Sequence, residues 1–374
     1  MKIGIVSNTS FNIFNYRLGL ILALQKSGHE VVAIAPIDSF TEKIISNGIK
    51  FSPIKQLTRK GTNPFGDLSL VYEFYQLYKS NDLDVVLQYT IKPNIFGTIG
   101  AKLAGIKSIC TVTGLGYVFL NNGLSSKIAK LLYAFAFKRA DLVVFQNKDD
   151  AQTFKEQKLL SKQNFDVFPG SGLDTNYYSP DFCNAQKTEK IKILMVSRLL
   201  IDKGILEYVE VAKNIKAKYP YVQFQVLGEM DKNNPAAISE AQLGEWLKEE
   251  VFEYFPFSED IRQFVCNADA IVLPSYREGL PRVILEGMAM EKICITTDAP
   301  GCVDTIEDGV SGFIAKVKDA KSLQQKVEEF LSLEQPKRRE MEFNARQRAI
   351  DLFDNKIVIQ KYFSVLEKIK LKIK

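Results

Sequence analysis

The stretch L-P-S-Y-R-E-G-L-P-R-V-I-L-E, which runs from Leu273 to Glu286, indicates how this chain folds. Residues 270–273 are apolar and typical of a buried strand, and residues 275–279 form a short polar loop. Pro281 then opens a helix, because proline is favoured at the first helical position, where its missing N–H would have no partner. The stretch therefore predicts a strand, a loop and a helix, the repeating unit of an α/β domain.

The same turn predicts an anion site. A helix N-terminus offers free backbone N–H groups and the positive end of the helix dipole, and Gly279 lets a ligand approach the backbone. Glu278 and Glu286 bracket the turn, and carboxylates accept hydrogen bonds from sugar hydroxyls. At the carboxyl end of a parallel strand, these groups favour a phosphorylated, hydroxyl-rich ligand such as a nucleotide sugar. The alternative is an ordinary turn with two solvated glutamates.

The rest of the chain repeats this alternation of apolar runs and helix-length stretches. The runs of the first half are residues 3–6, 31–35, 50–54, 84–88, 108–112, 142–145 and 165–168. Those of the second half are residues 193–197, 222–227, 251–255, 270–273 and 293–296. The pattern predicts an α/β protein with doubly wound parallel sheets, because strands covered on both faces are almost continuously apolar.

A polar segment rich in proline and glycine, residues 169–190, interrupts the alternation. We expect a first Rossmann-like domain over residues 1–170, a linker over 171–190 and a second Rossmann-like domain over 191–353. A final helix over 354–374 would pack back on the first domain. A chain of 374 residues is long enough for two such domains with a cleft between their sheet edges.

Composition narrows the classes of function. The net charge of +5 is too small to indicate a nucleic-acid partner, and none is predicted. The five cysteines are scattered, so we expect reduced thiols in a cytoplasmic protein. The first residues run straight into a strand without a signal peptide, and no apolar run approaches the ~18 residues that span a bilayer. His29 is the only histidine, which excludes a histidine-based triad and disfavours a metal site.

Further candidates follow other strands. Arg198 and Lys203, after the first strand of the second domain, are suited to a diphosphate, and Gly228 would let a base or ribose lie against the backbone. In the first domain, we expect residues 7–15, which end at Asn15, to be a polar loop that contacts substrate. Lys92 of that domain is a candidate anion contact. Thr113, Gly114 and Gly116 belong to a stretch that we expect to be a flexible loop at the cleft. Solvated surface residues are the alternative for each.

Residues 124–139 mix four cations with leucine, tyrosine and phenylalanine. This composition is typical of an amphipathic helix on a membrane surface. A helix that packs on its own sheet would show the same pattern.

These residues resemble a known family. E-G-L-P-R-V-I-L-E, residues 278–286, is similar to the E-x7-E motif of family 4 of the retaining GT-B glycosyltransferases. Arg198, Lys203-Gly204 and the linker residues 172–178 are similar to further motifs of this family. K-P-N-I-F-G (92–97) and T-G-L-G-Y-V-F (113–119) resemble a bacterial subgroup that adds N-acetylhexosamines to undecaprenyl-diphosphate-linked glycans, α-1,3-N-acetylgalactosaminyltransferases above all. Thr113 lies near the place where many members have a histidine.

The resemblance implies a role for each matching residue. Glu286 would bind the donor ribose, and Glu278 the reacting face of the donor sugar. Arg198 and Lys203, with the backbone around Gly279, Leu280 and Pro281, would hold the diphosphate and stabilise the leaving group. Apart from the resemblance, we expect Gly228 and Asn15 to complete the donor site.

The resemblance also implies the substrates. The donor would be a UDP-N-acetylhexosamine used without a metal or other cofactor, and the acceptor a polyprenyl-diphosphate-linked sugar. The enzyme would work at the inner face of the cytoplasmic membrane, as a peripheral protein in bacterial glycan or glycoprotein assembly. The alternatives are a UDP-sugar 2-epimerase with the same architecture and a non-enzymatic nucleotide-sugar-binding protein.

Overall fold

A seven-stranded parallel sheet forms the centre of the first of two units in the computed structural model of the chain. The structure describes residues 1–57, 64–115, 123–161, 164–184, 189–232 and 234–373. The first unit comprises Met1–Gly172 together with Asn355–Lys374, and the second comprises Leu173–Asp354.

The strands of the first unit are β1 (Lys2–Val6), β2 (Glu30–Ala35), β3 (Lys50–Pro53), β4 (Val85–Tyr89), β5 (Lys107–Val112), β6 (Leu142–Phe145) and β7 (Phe165–Val167). Their order is β3-β2-β1-β4-β5-β6-β7, the doubly wound arrangement. The helices are α1 (Ser10–Lys26), α2 (Thr41–Ser46), α3 (Pro64–Ser80), α4 (Thr98–Ala104), α5 (Leu124–Phe137), α6 (Lys148–Glu156) and, from the end of the chain, α13 (Asn355–Ile373). A π-helical turn, Pro93–Gly97, precedes α4.

The two faces of this sheet are covered by different helices. Side chains of α3, α4, α5 and α6 form the core on one face. Side chains of α1 and α13 form the core on the other, where the hydroxyl of Tyr362 lies 2.9 Å from Thr111 Oγ1 and 3.3 Å from the hydroxyl of Tyr89. The final helix thus belongs to the core of the first unit.

The second unit repeats the arrangement with β8 (Ile191–Val196), β9 (Val222–Leu227), β10 (Glu253–Phe255), β11 (Ala270–Val272), β12 (Ile293–Thr297) and β13 (Gly312–Ala315). The strand order is β10-β9-β8-β11-β12-β13, again parallel and doubly wound. Its helices are α7 (Ile205–Lys218), α8 (Glu240–Lys248), α9 (Arg262–Asn267), α10 (Arg282–Ala289), α11 (Ala320–Leu331) and α12 (Gln335–Phe353). The predicted fold class is confirmed.

Three local predictions were wrong or incomplete. The polar loop expected over residues 7–15 ends early, because Thr9 Oγ1 accepts a hydrogen bond from Asn12 N and caps a helix that begins at Ser10. Strand β13 was not predicted, since four residues that start with a glycine show no usable alternation. The helix-length stretch after the apolar run 84–88 begins as a π-helical turn rather than as an α-helix.

The expectation of five reduced thiols is also wrong. Cys183 and Cys266 form a disulfide with an S–S distance of 2.11 Å, although 83 residues separate them in sequence. Sequence spacing alone carries no information on such a pair, because only the fold brings the two residues together. Cys110, Cys294 and Cys302 are free and buried.

Among the helices that the structure describes, none has the length and apolar character that crossing a bilayer requires.

Candidate functional site

The loop between β11 and α10 is fixed by its neighbours in the second unit. Thr296 Oγ1 and Thr297 Oγ1, on the adjacent strand β12, donate hydrogen bonds to the carbonyl oxygens of Leu273 (2.9 Å) and Ser275 (2.6 Å). The backbone N–H of Tyr276 donates to the carbonyl of Asp202, 2.9 Å away, in the turn that follows β8. The two strand ends therefore hold the loop in one position.

Gly204 makes this close approach feasible. Its φ is +76°, and a Cβ at this position would lie 2.1 Å from the carbonyl oxygen of Pro274. Any other residue would push the turn after β8 away from the loop after β11. The glycine of the Lys203-Gly204 pair is thus required by backbone packing.

Lys203 and Glu278 form an ion pair between these two segments. Lys203 Nζ lies 2.5 Å from Glu278 Oε1, and the hydroxyl of Ser275 donates to the same oxygen at 2.7 Å. Their side chains are only 19% and 17% exposed, so water screens the pair poorly. The ammonium is held in a defined place, at the carboxyl end of β11 and next to the loop that opens α10.

Glu286 occupies a second, more buried part of the same turn. It is 7% exposed, and Oε1 accepts a hydrogen bond from Arg282 Nε at 2.8 Å, one helical turn earlier. The Tyr178 hydroxyl is a second partner. Burial raises the pKa of the Glu286 carboxyl, while Arg282 and Tyr178 oppose that rise. Burial and Glu286 together raise the pKa of Tyr178.

Helix α10 itself begins at Arg282, with Pro281 in the extended N-cap position. The predicted first-turn proline is therefore one residue outside the helix. Gly279 and Leu280 lie in the loop that leads to it, as predicted. The Arg282–Glu286 pair could have been found from the sequence, since an i,i+4 spacing places the two side chains together on a helix.

Arg198 does not join the Lys203–Glu278 pair. Its Nη1 donates to Asp231 Oδ2 at 2.9 Å, and its side chain is 44% exposed. The sequence alone does not indicate Asp231 as the partner of Arg198, because the two residues belong to different loops that only the β8–β9 pairing brings together.

Gly228 lies beside Arg198 at the end of β9. A Cβ on Gly228 would lie 1.7 Å from the carbonyl oxygen of Ser197. Its own carbonyl accepts a hydrogen bond from the Tyr254 hydroxyl at 3.0 Å. The close backbone packing, which excludes a side chain here, explains this glycine.

The candidate site residues of the first unit lie in different parts of that unit. Lys92, Thr113 and Gly114 line one cavity of about 270 Å³ at the carboxyl ends of β4 and β5. Asn15 lies within α1, where its Nδ2 donates to the carbonyl of Phe11 at 3.0 Å. Gly116 lies outside the described residues.

Lys92 is not isolated in its cavity. Its Nζ lies 3.9 Å from Asp67 Oδ1. Burial raises the pKa of the Asp67 carboxyl, and the Lys92 ammonium opposes that rise. The cavity thus has a cation that is partly neutralised before any ligand binds.

The part of the chain that the structure describes also contains carboxylates and buried thiols outside this turn. No group of three or more histidine, cysteine, aspartate and glutamate residues is arranged to hold a metal ion there. Burial raises the thiol pKa of Cys110 and of Cys302 to about 12, so both stay protonated and poorly nucleophilic.

Two sequence families match this chain. The family described as "Glycosyl transferases group 1" matches residues 181–348, which include Lys203, Glu278 and Glu286. The family described as "Glycosyl transferase 4-like" matches residues 2–147, which include the Lys92 cavity.

Relatives match over much of the chain. The N,N'-diacetylbacillosaminyl-diphospho-undecaprenol alpha-1,3-N-acetylgalactosaminyltransferase of Campylobacter jejuni is 30% identical over 99% of each chain. The UDP-Gal:alpha-D-GlcNAc-diphosphoundecaprenol alpha-1,3-galactosyltransferase of Escherichia coli is 26% identical over 68% of each chain.

Solved structures share the architecture. Anabaena Alr3699/HepE in complex with UDP and glucose superposes with a TM-score of 0.81 at 19% identity, over 98% of this chain and 100% of the other. At that identity the likeness shows the fold alone, which is GT-B as the sequence predicts.

Proposed function

The chain belongs to the group 1 glycosyl transferases, and from this membership we propose that it moves an N-acetylhexosamine from a UDP-sugar to an undecaprenyl-diphosphate-linked sugar. It is a hexosyltransferase. We infer N-acetylgalactosamine as the sugar and α-1,3 as the linkage, because this is the activity named for the Campylobacter jejuni relative. The relatives give no support to the 2-epimerase or to a non-enzymatic binding protein.

The observation that carries this proposal is the Lys203–Glu278 pair beside the start of α10. Glu278 and Ser275 hold the ammonium in place before a donor arrives, so little reorganisation is needed when negative charge develops. We assign the binding of the donor diphosphate to Lys203, Arg198 and the backbone N–H groups around Gly279 and Leu280, next to the Pro281 end of α10. The Anabaena protein of the same fold was solved with UDP, which agrees with a UDP-sugar donor.

We assign to Glu286 the ribose hydroxyls and to Glu278 the reacting sugar. Arg282 and Tyr178 hold the Glu286 carboxylate, and they leave it acceptor sites for hydroxyl donors. Gly228 would let the nucleoside lie against the end of β9, and Asn15 is the first-unit residue that we assign to the donor. No metal is needed, because these cations and dipoles carry the charge stabilisation.

The transfer retains the configuration of the anomeric carbon of the donor sugar. The acceptor hydroxyl oxygen bonds to the anomeric carbon, and the bond from that carbon to the β-phosphate oxygen breaks. UDP leaves with the electron pair and takes the hydroxyl proton on its phosphate oxygen. Lys203 and Arg198 stabilise the charge that develops on this leaving group.

We place the acceptor sugar in the first-unit cavity that Lys92, Thr113 and Gly114 line. The relatives in Campylobacter jejuni and Escherichia coli are both named for undecaprenol-linked acceptors. A cavity at the carboxyl ends of β4 and β5 is where an open parallel sheet binds ligands.

We propose that α5 holds the enzyme on the inner face of the cytoplasmic membrane. One face of this helix exposes Ile128 (48%), Leu131 (71%) and Phe135 (46%), while Tyr133 and Phe137 pack into the core. Residues 124–139 carry four cations, Lys127, Lys130, Lys138 and Arg139, and no carboxylate. Apolar side chains with surrounding cations suit an anionic lipid surface.

A donor screen tests the proposal. UDP-GalNAc, UDP-GlcNAc, UDP-Gal and UDP-Glc are each incubated with a polyprenyl-diphosphate-linked N-acetylated sugar, and free UDP is measured. We expect acceptor-dependent UDP release with an N-acetylhexosamine donor, UDP-GalNAc above the others. UDP release that needs no acceptor would overturn it.

A further inference from the structure

The segment after β4 departs from ordinary backbone geometry. Thr90, a β-branched residue, has a φ of +72°, in the left-handed region that such residues rarely adopt. The chain then forms the π-helical turn Pro93–Gly97. Both features cost free energy, and such turns and outliers cluster where a protein binds ligands. Together they place Asn94 against the cavity at the ends of β4 and β5.

Asn94 is one of the residues that line this cavity. The residue is 1% exposed, and its Nδ2 donates to the carbonyl of Thr111 at 2.8 Å. That carbonyl can only accept, so it fixes which end of the amide is the nitrogen. The remaining oxygen, Oδ1, has no hydrogen-bond partner among the described residues. A buried carbonyl oxygen in this state favours a ligand that brings a donor.

The walls of the cavity are of two kinds. Leu57, Ile91 and Val112 supply apolar surface. Thr90 and Thr113 supply hydroxyls, and Thr90 Oγ1 is a second buried atom without a partner in the described part of the chain. The volume of about 270 Å³ lies just below the ~300–1,000 Å³ of pockets that enclose drug-sized ligands. It therefore suits a single sugar residue better than a nucleotide.

We propose that this cavity recognises the acetamido group of the acceptor sugar, an inference that rests on the proposed function. Asn94 Oδ1 accepts the hydrogen bond of the acetamido N–H, and the acetamido methyl packs against Val112 and its apolar neighbours. A phosphate would bring only acceptor oxygens toward Asn94 Oδ1, which disfavours it. A plain hydroxyl would satisfy Asn94 and leave the apolar wall without a partner.

Acceptor choice is the measurable consequence. A site built around a ligand N–H discriminates against an analogue that lacks it, because buried polar atoms are then left without partners. We expect kcat/KM to fall on the order of 10–100-fold when the acetamido group of the acceptor is replaced by an O-acetyl group, which keeps the methyl but has no N–H, the cost of about one buried unsatisfied group.

The test compares two acceptors with the same lipid diphosphate, one carrying an acetamido group on the sugar and the other an O-acetyl group in its place. Each is assayed with the wild-type chain, with Asn94→Leu and with Asn164→Leu. Asn164 is a matched control, because its Nδ2 also donates to backbone carbonyls, those of Phe137 and Ala140, and its Oδ1 also lacks a partner in the described part of the chain. Asn164 does not line the cavity.

We expect Asn94→Leu to lower kcat/KM for the acetamido acceptor and to bring the ratio between the two acceptors close to one. Asn164→Leu should keep the wild-type ratio. The inference would be overturned by a wild-type acceptor ratio in Asn94→Leu, or by a ratio close to one in both variants.

Wild-type measurements cover the case in which Asn94→Leu does not fold. Lengthening the N-acetyl group to N-butanoyl should lower kcat/KM strongly, because the acetamido methyl already packs against Val112 and its apolar neighbours. Equal rates with N-acetyl, N-butanoyl and O-acetyl acceptors would contradict acetamido recognition and leave the proposed function intact. No transfer to any acceptor would contradict the proposed function itself.

Discussion

Lys203 Nζ lies 2.5 Å from Glu278 Oε1, across two loops that end neighbouring strands of the second unit. Ser275 donates to the same carboxylate oxygen at 2.7 Å. The two charges are only partly exposed, so each depends on the other for stabilisation. In the proposed function, this pair positions a cation for the leaving diphosphate and so connects the fold of the second unit to the chemistry.

Replacement of Lys203 by alanine should remove most of the activity. We expect kcat/KM to fall about 10²–10³-fold, the loss typical of one preorganised charge contact, or about 2.7–4 kcal/mol in the barrier. Acceptor-dependent UDP release measures it. The matched control is Lys213→Ala, because the Lys213–Glu249 pair lies in the same unit but is about half exposed. Near wild-type turnover in Lys203→Ala would remove this residue from the site.

Replacement of Arg198 by alanine should weaken transfer by a similar mechanism. Arg198 is held by Asp231 at 2.9 Å, so Asp231→Asn should also lower activity, by a smaller factor, because the guanidinium loses its anchor but not its charge. Steady-state kinetics with varied UDP-sugar separates the two effects. If Asp231→Asn is as damaging as Arg198→Ala, Asp231 contributes more than positioning.

The buried Glu286 should make stability depend on pH. Its folded pKa is raised above the ordinary value of 4.5, so the folded state binds this proton more tightly than the unfolded state does. Stability from this group is therefore lost as pH rises from about 4.5 toward the folded pKa. We expect the Tm of wild type to fall relative to that of Glu286→Gln as pH rises across this range.

Tyr178→Phe gives the matching result for the same carboxyl. Loss of the Tyr178 hydroxyl removes a group that lowers the Glu286 pKa. The Tyr178→Phe chain should therefore lose more stability than wild type as pH rises over the same range. Thermal melts between pH 4 and 8 measure both variants. A difference that stays flat with pH in each would show that Glu286 titrates as an ordinary exposed glutamate.

The exposed face of α5 should bind anionic vesicles. Charge reversal at Lys127 and Lys130 should weaken binding to phosphatidylglycerol vesicles, since each lysine near such a surface contributes about 1 kcal/mol, or roughly fivefold. Phe135→Asp should weaken it by loss of apolar burial. Phe343→Asp is the control, because Phe343 is 61% exposed on α12 of the other unit. Cosedimentation that is equal for all variants would argue against this face.

The Cys183–Cys266 disulfide should stabilise the second unit. It closes a long loop, and such a crosslink typically contributes about 2–4 kcal/mol. A thiol reductant should therefore lower the urea midpoint of the wild-type chain and leave that of Cys183→Ser unchanged. Thiol titration of the unfolded, unreduced chain should find three free cysteines, the number outside the pair. Five would show that the pair is reduced.

The sequence predicted the parts that depend on local pattern. The strand, loop and helix around Gly279 were correct, because apolar runs and Pro281 act within a few residues. The partners of Arg198 and Glu286 were missed: Asp231 and Tyr178 are distant in sequence, and only the fold brings them close. The left-handed Thr90 was equally invisible, since nothing in its neighbours indicates such a backbone.

Transfer of the sugar from UDP to the lipid-linked acceptor can be followed directly on the sugar itself. Labelled UDP-GalNAc is incubated with a polyprenyl-diphosphate-linked N-acetylated sugar and either the wild-type chain or Lys203→Ala. The molecular mass of the lipid product is then measured by mass spectrometry. We expect wild type to give one added N-acetylhexosamine per acceptor and one UDP released per transfer, and Lys203→Ala to give almost no product. UDP-sugar consumption without a heavier lipid product, or equal product from both proteins, would contradict it.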